Sequence, residues 1–232
     1  MRLAVEGKMK SIKRILHENG LSIAMFGLFF IFFLGQIVTG LYHYNDNQRE
    51  HGQAIVNYWQ YLHTGDFLES VFENWESEFL QMCIYVVLTG FLYQRGSAGS
   101  KNLTEPQDVD ADPEESRNKK GVPYPVRRGG LLLALYKYSL SIALFLLFLI
   151  SFILHAIYGA EAYTEDHAQH GMKLVVNALQ YMGTSRFWFE SFQNWQSEFL
   201  SVGAIVVLSI FLRHKGSPES KPVAAPHDEE PT

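Results

Sequence analysis

The sequence predicts an all-α membrane protein: four transmembrane helices as two tandem two-helix repeats, with short interfacial amphipathic helices in the outer loops. Three observations carry this. The apolar residues gather into four blocks with the charges between them, the second half of the chain repeats the first, and lysine and arginine concentrate in one set of the intervening segments.

Positions 21–42 contain no formal charge and include Phe26, Phe29, Phe30, Ile31, Phe32, Phe33 and Leu34. A helix of that length is about 33 Å long, enough to cross a hydrocarbon core of roughly 30 Å. Positions 138–160 form a second such run, in which only His155 can acquire charge. Two shorter runs lie at 79–94 and 199–212. Fourteen residues rise only about 21 Å. Extending each run back to a tryptophan gives spans of about 75–93 and 195–213, each about 28 Å long. Trp75 and Trp195 then lie at headgroup level, where amphipathic rings are favoured.

The chain repeats itself. Leu21-Ser22-Ile23-Ala24 recurs at 140–143, and His51-Gly52 recurs at 170–171, both at an offset of 119. One residue is then gained. Asn74-Trp75-Glu76-Ser77-Glu78-Phe79-Leu80 recurs at 194–200 with Gln196 for Glu76, and Gly96-Ser97 recurs at 216–217. Positions 21–52 share 13 identities with their counterparts and positions 56–97 share 20. Apolar helices reach the first figure by composition, but the second includes Asn, Trp, Ser, Glu and Gln. The first run follows a basic stretch, as a signal peptide would. It is longer than a typical signal core, however, and matches a run in mid-chain, so both are expected to span. Two spans per unit bring both units in from the same side, as in parallel-repeat proteins.

Sidedness follows from Lys and Arg. Sixteen of the nineteen lie in residues 1–20, the stretch from 94 to 137, and the tail from 213. The two inter-span loops hold only Arg49, Lys173 and Arg186. Both termini and the linker are therefore expected in the cytoplasm, in a multi-pass membrane protein. The organisation is a basic N-terminus (1–20), repeat 1 (21–95), a cytoplasmic linker (96–130), repeat 2 (131–214) and a tail (215–232). The linker and tail have too few apolar residues to bury a core and read as disordered.

In the outer loops, Leu68, Val71, Phe72 and Trp75 recur at helical spacing, as do Phe187, Trp188, Phe192 and Trp195. Asp66 with Glu69 has capping-box form. These stretches read as amphipathic helices lying in the outer interface, with Gly65 permitting a break. Ile55, Tyr58, Trp59 and Leu62 suggest another helical turn upstream.

The sharpest candidates for chemistry are Glu78 and Glu198. Each lies one turn below its tryptophan, and a carboxylate inside a span is costly. Asn74 with Glu78, and Asn194 with Glu198, are four apart and share helix faces. If the repeats pack together, the two carboxylates can face one another and raise one proton affinity. With Trp75, Trp195 and the repeat-matched His51 and His170, these make the candidate functional set. Of nine histidines only His155 lies at span depth, where the first copy has Gln36. With no His-x-x-x-His or Cys-x-x-Cys and a single cysteine, Cys83, no metal, cofactor or catalytic residue is expected. A net charge of −5 gives no case for nucleic acid.

The paired His-Gly, Asn-Trp-x-Ser-Glu-Phe-Leu and Arg/Lys-Gly-Ser elements resemble those of a bacterial transmembrane family known only as a domain of unknown function. The segment 183–200 carries most of the likeness, which runs from about Ile15 to Pro222. The resemblance implies a bacterial inner-membrane location and supplies no activity. The expected function is a non-enzymatic scaffold or sensor-like protein. Its partners would be the lipid bilayer and either a second copy or another membrane protein. The alternative is a small proton or cation channel or transporter using Glu78 and Glu198. A metal- or haem-binding redox protein ranks third.

Overall fold

The computed structural model describes residues 13–227. The first twelve residues of the basic N-terminus and the last five of the tail lie outside the described residues. Among those described there are helices and no strand. Among the described residues the α-helices include α1 (Gly20–Glu50), α2 (Tyr58–Tyr61), α3 (Gly65–Thr89), α4 (Tyr124–Arg128), α5 (Gly130–Lys137), α6 (Ser139–Gln169), α7 (Ala178–Met182) and α8 (Ser185–Phe211). The chain divides into two compact units, one ending at Phe67 and the other starting at Leu68, within the first turn of α3.

Among the described residues three helices are long and apolar enough to cross a membrane: α1, α6 and α8. The apolar stretch of α1 buries none of its residues within the protein. Phe26, Phe30 and Phe32 are among its exposed side chains. A soluble protein rarely leaves so continuous an apolar surface to water, whereas lipid accepts it. Helix α3 also has a membrane-like half, but its first four turns carry Asp66, Glu69, Glu73, Glu76 and Glu78. The charge-free part that follows rises only about 16 Å.

Both long charge-free runs are helical, and each helix continues past the run: α1 to Glu50 and α6 to Gln169. The two helices end alike. His51 and His170 are the C-cap residues, and Gly52 (φ 68°) and Gly171 (φ 76°) then take the left-handed conformation that glycine tolerates. The short helices α2 and α7 also begin alike. Asn57 and Asn177 each accept from the backbone N–H three residues on, and Gln60 and Gln180 reach back to the cap N–H.

One expectation is corrected. The amphipathic stretches after Gly65 and Thr184 are not separate interfacial helices; each runs unbroken into its apolar continuation, as α3 and α8. No proline and no internal glycine interrupts α3 after Gly65, so nothing opens its hydrogen-bond ladder.

In the first unit, Tyr61 stacks against Tyr44 and Phe67, at 5.6 and 5.1 Å between ring centres. In the second, α7 docks on α6. Ala156, Ala160, Tyr181 and Phe187 form the buried centre, and Phe152, Tyr163, Val176, Ala178 and Met182 pack around it. The small residues of α6 (Ala156, Gly159, Ala160) let the Tyr181 ring lie close to the helix backbone. Between α3 and α4 the linker forms two short 3₁₀ turns (Asp108–Asp110 and Pro113–Ser116). Arg117 donates to the carbonyls of Arg127 and Arg128 across its base.

Candidate functional site

The second unit encloses a polar cluster beside its aromatic core. Helix α3 supplies Glu69, Glu73 and Glu76, at a spacing (i, i+4, i+7) that puts them on one face. Helix α8 supplies Arg186, Glu190 and Asn194 at i, i+4, i+8, with Trp195 adjoining. Helix α6 contributes His155 and α7 contributes Tyr181.

His155 is wholly buried, as is Glu76. The His155 Nδ1 lies 2.8 Å from Glu76 Oε2. The indole N–H of Trp195 donates to the other oxygen, Glu76 Oε1, at 2.9 Å. Both carboxylate oxygens of Glu76 are thus engaged, and the imidazole is held with Nδ1 on that carboxylate and its plane against Phe187, 4.7 Å between ring centres. The second ring nitrogen, Nε2, has no hydrogen-bond partner. It points at Glu190, whose Oε2 is 3.6 Å away.

The Tyr181 hydroxyl lies between two carboxylates, 2.7 Å from Glu69 Oε1 and 2.5 Å from Glu190 Oε2. One phenol carries one proton, so it satisfies one of these contacts as a donor; the other needs a proton on a carboxyl. Arg186 donates through Nε to Glu190 Oε1 at 2.8 Å and through Nη1 to Asp166 at 3.2 Å, and its Nη2 lies 3.8 Å from Glu69. Its guanidinium also sits over the Tyr163 ring.

Charge is unbalanced here. Glu69, Glu73, Glu76 and Glu190 face one permanent cation, Arg186. Burial, then the charge of Glu190, pushes the Glu69 carboxyl up to about 7, and the same two causes bring Glu73 to about 7. Burial and the neighbouring Glu69 raise the Tyr181 phenol well above its ordinary range, so the phenol stays protonated.

The residues singled out from the sequence fall in three places. Trp195 and Asn194 belong to the cluster, Trp195 through its bond to Glu76 and Asn194 beside Glu73, whose charged form it favours. Glu78 is exposed and Glu198 half-buried, and Glu198 feels the charge of Glu78. Asn74 is exposed and donates to the Ser70 carbonyl at 2.6 Å, while Trp75 packs edge-on against Phe72. His51 and His170 are exposed, and each sets Nδ1 against the carbonyl four residues back, of Asn47 and Asp166. Glu69, read from the sequence as half of a capping box with Asp66, is buried and faces Tyr181 instead.

Sequence reasoning missed Glu69, Glu73, Glu76, Glu190 and Arg186 as a set. A signal was present. In the other copy their counterparts are Phe189, Gln193, Gln196, Ser70 and Asp66, and His155 matches Gln36. The cluster is built where the two halves differ, whereas Tyr181, Trp195 and Asn194 are shared with Tyr61, Trp75 and Asn74.

Neither the curated proteins nor the solved structures contain a match to this chain. The sequence profile of a family described as a domain of unknown function (DUF6766) matches residues 12–231, nearly the full length, and the chain belongs to that family.

Proposed function

We propose that the chain is a four-span, non-enzymatic membrane protein of the sensor kind, in which the acid–histidine cluster receives a cation as its effector. The observation that carries this is the excess of carboxylate around Arg186. Glu69 and Glu190 share the Arg186 guanidinium with Asp166, Glu73 and Glu76 add two more buried or half-buried carboxyls, and the buried imidazole turns a nitrogen without a hydrogen-bond partner toward them. Uncompensated charge in such a place costs several kcal/mol, and cation uptake relieves it. The same groups supply a cation's usual ligands and counter-charges.

The topology belongs to the same reading. α3 is the second span, entered at Trp75, and the two halves are tandem hairpins with termini and linker on the cytoplasmic side of a bacterial inner membrane. The lysine and arginine distribution, the matched helix ends at His51-Gly52 and His170-Gly171, and the matched caps at Asn57 and Asn177 support it. Partners are lipid and either a second copy or another membrane protein.

Trp195 gives the test its reporter, because its indole donates to the cluster. In the full chain with Trp59, Trp75 and Trp188 changed to Phe, reconstituted in vesicles, Trp195 emission is followed against protons, alkali, alkaline-earth and transition-metal cations. The expected result is a change with at least one of them that Glu76→Gln removes. Emission indifferent to every cation refutes the reading. Reporter fusions near Asn57 and Asn177 test the topology, and activity in the cytosol overturns it.

One observation favours a second reading, a small channel or transporter using Glu78 and Glu198. Glu198 is half-buried within sensing distance of Glu78. Proton or cation flux into vesicles that disappears in the double Gln variant supports it; flux that persists eliminates it.

A further inference from the structure

We infer, resting on the reading above, that Glu69, His155 and Glu190 form a site for one divalent first-row transition-metal ion, with His155 binding through Nε2. One ligand atom from each of the three side chains lies within 4.8 Å of the others, on three different helices of the second unit.

The histidine makes this more than a group of acids. A neutral imidazole whose Nδ1–H is held by a carboxylate presents a lone pair at Nε2. Here that nitrogen is wholly buried, has no hydrogen-bond partner and is aimed at carboxylate oxygen. As a lone pair it repels the anion unless a cation, a proton or a metal ion, lies between them. The 3.6 Å from Nε2 to Glu190 Oε2 is too long for an N–H···O bond. It is close to the separation of two ligands on one ion: donors each about 2.1 Å from a tetrahedral metal stand roughly 3.4 Å apart.

The surroundings are those a metal-bound histidine uses. Glu76 holds Nδ1, which fixes the ring and raises the basicity of Nε2, and Trp195 holds Glu76 in turn. Arg186 occupies Glu190 Oε1, and Oε2, which also meets the Tyr181 hydroxyl, is the oxygen that faces the histidine. Tyr181 bridges the two carboxylates. A nitrogen with two carboxylates suits zinc, manganese or iron, whereas calcium and magnesium prefer all-oxygen shells.

The test uses the full chain purified in detergent, stripped with chelator, reloaded with Zn²⁺ and passed through a sizing column before elemental analysis. One Zn²⁺ per chain is expected, retained against roughly hundredfold excess Mg²⁺. His155→Gln and Glu190→Gln lose it. Glu76→Gln, which leaves all three ligands in place, binds 10–100-fold more weakly. His51→Gln and His170→Gln bind as the parent does. Co²⁺ substitution gives visible d–d bands that disappear in His155→Gln, and sizing profile and helical circular dichroism confirm that each variant is folded. A folded His155→Gln that keeps its Zn²⁺, or binding removed by the surface-histidine changes instead, overturns the assignment. A parent chain whose Trp195 responds to protons or alkali ions but retains no Zn²⁺ overturns the metal and leaves the cation reading standing. A parent that binds nothing and responds to nothing refutes both.

Discussion

Tyr181 lies so close to Gly159 that a methyl group on the glycine would collide with the tyrosine ring, and would stand 2.7 Å from Glu69 Oε1 as well. Gly40 meets Tyr61 in the first unit in the same way, at the hydroxyl end of the ring. The two pairs occupy corresponding positions in the two halves of the sequence. Gly159→Ala and Gly40→Ala should each destabilise by about 1–3 kcal/mol through overpacking. Gly203→Ala, where nothing lies within 4 Å, should be neutral or mildly stabilising because alanine favours helix. Thermal unfolding in detergent checks the three, and a loss at Gly203 equal to that at Gly159 would contradict the packing described.

Tyr181→Phe removes the one hydroxyl between Glu69 and Glu190. The two carboxyls then face each other with no donor between them. The expected cost is about 1–3 kcal/mol, the penalty of leaving buried polar groups unsatisfied. Chemical denaturation of the parent and the variant measures it.

Tyr61 yields a pH prediction away from the cluster. Burial, then the charge of Asp66, raises its phenol to about 12. The folded chain therefore holds this proton more tightly than the unfolded chain, whose tyrosines titrate near about 10. Its contribution to stability is complete below about pH 10 and is lost as pH rises toward 12. The Tyr61→Phe variant should show a shallower loss of stability over that alkaline window. Unfolding midpoints measured across it decide the matter, and parallel slopes would contradict the assignment.

Asn57 and Asn177 close capping boxes on helices only four and five residues long. Such short helices depend heavily on their ends. Asn57→Ala and Asn177→Ala should each cost about 1 kcal/mol. The second should also loosen Tyr181, which α7 carries to the cluster, and Trp195 emission would register that. An unchanged midpoint in both variants would remove the caps from the account.

The helices were legible because their causes are local. Charge-free runs, His-Gly helix ends and Asn-x-x-Gln caps can each be read within a few residues. The merging of the amphipathic stretches into α3 and α8 was also readable, since no proline or internal glycine follows Gly65 in α3. The cluster was not, for two physical reasons. His155 and Glu76 are 79 residues apart, and Tyr181 and Glu69 are 112 apart; only tertiary packing pairs them. Comparing the halves for identity also draws attention to Glu78 and Glu198, which are shared, and away from Glu76, Glu190 and His155, which are not. The i, i+4, i+7 glutamates of α3 were the remaining clue, since that spacing puts them on one helix face.

Helix α3 has no hinge. With nothing to bend it between Glu76 and Thr89, a displacement of its acid-bearing end reaches the other end as a tilt of a stiff rod. Beyond that end, the Ser97 hydroxyl is bonded to Ser209 near the close of α8, at 3.0 Å. Any tilt of the rod is therefore passed to its neighbour α8 at both extremities, so the acid-bearing end and the Ser97–Ser209 end move together.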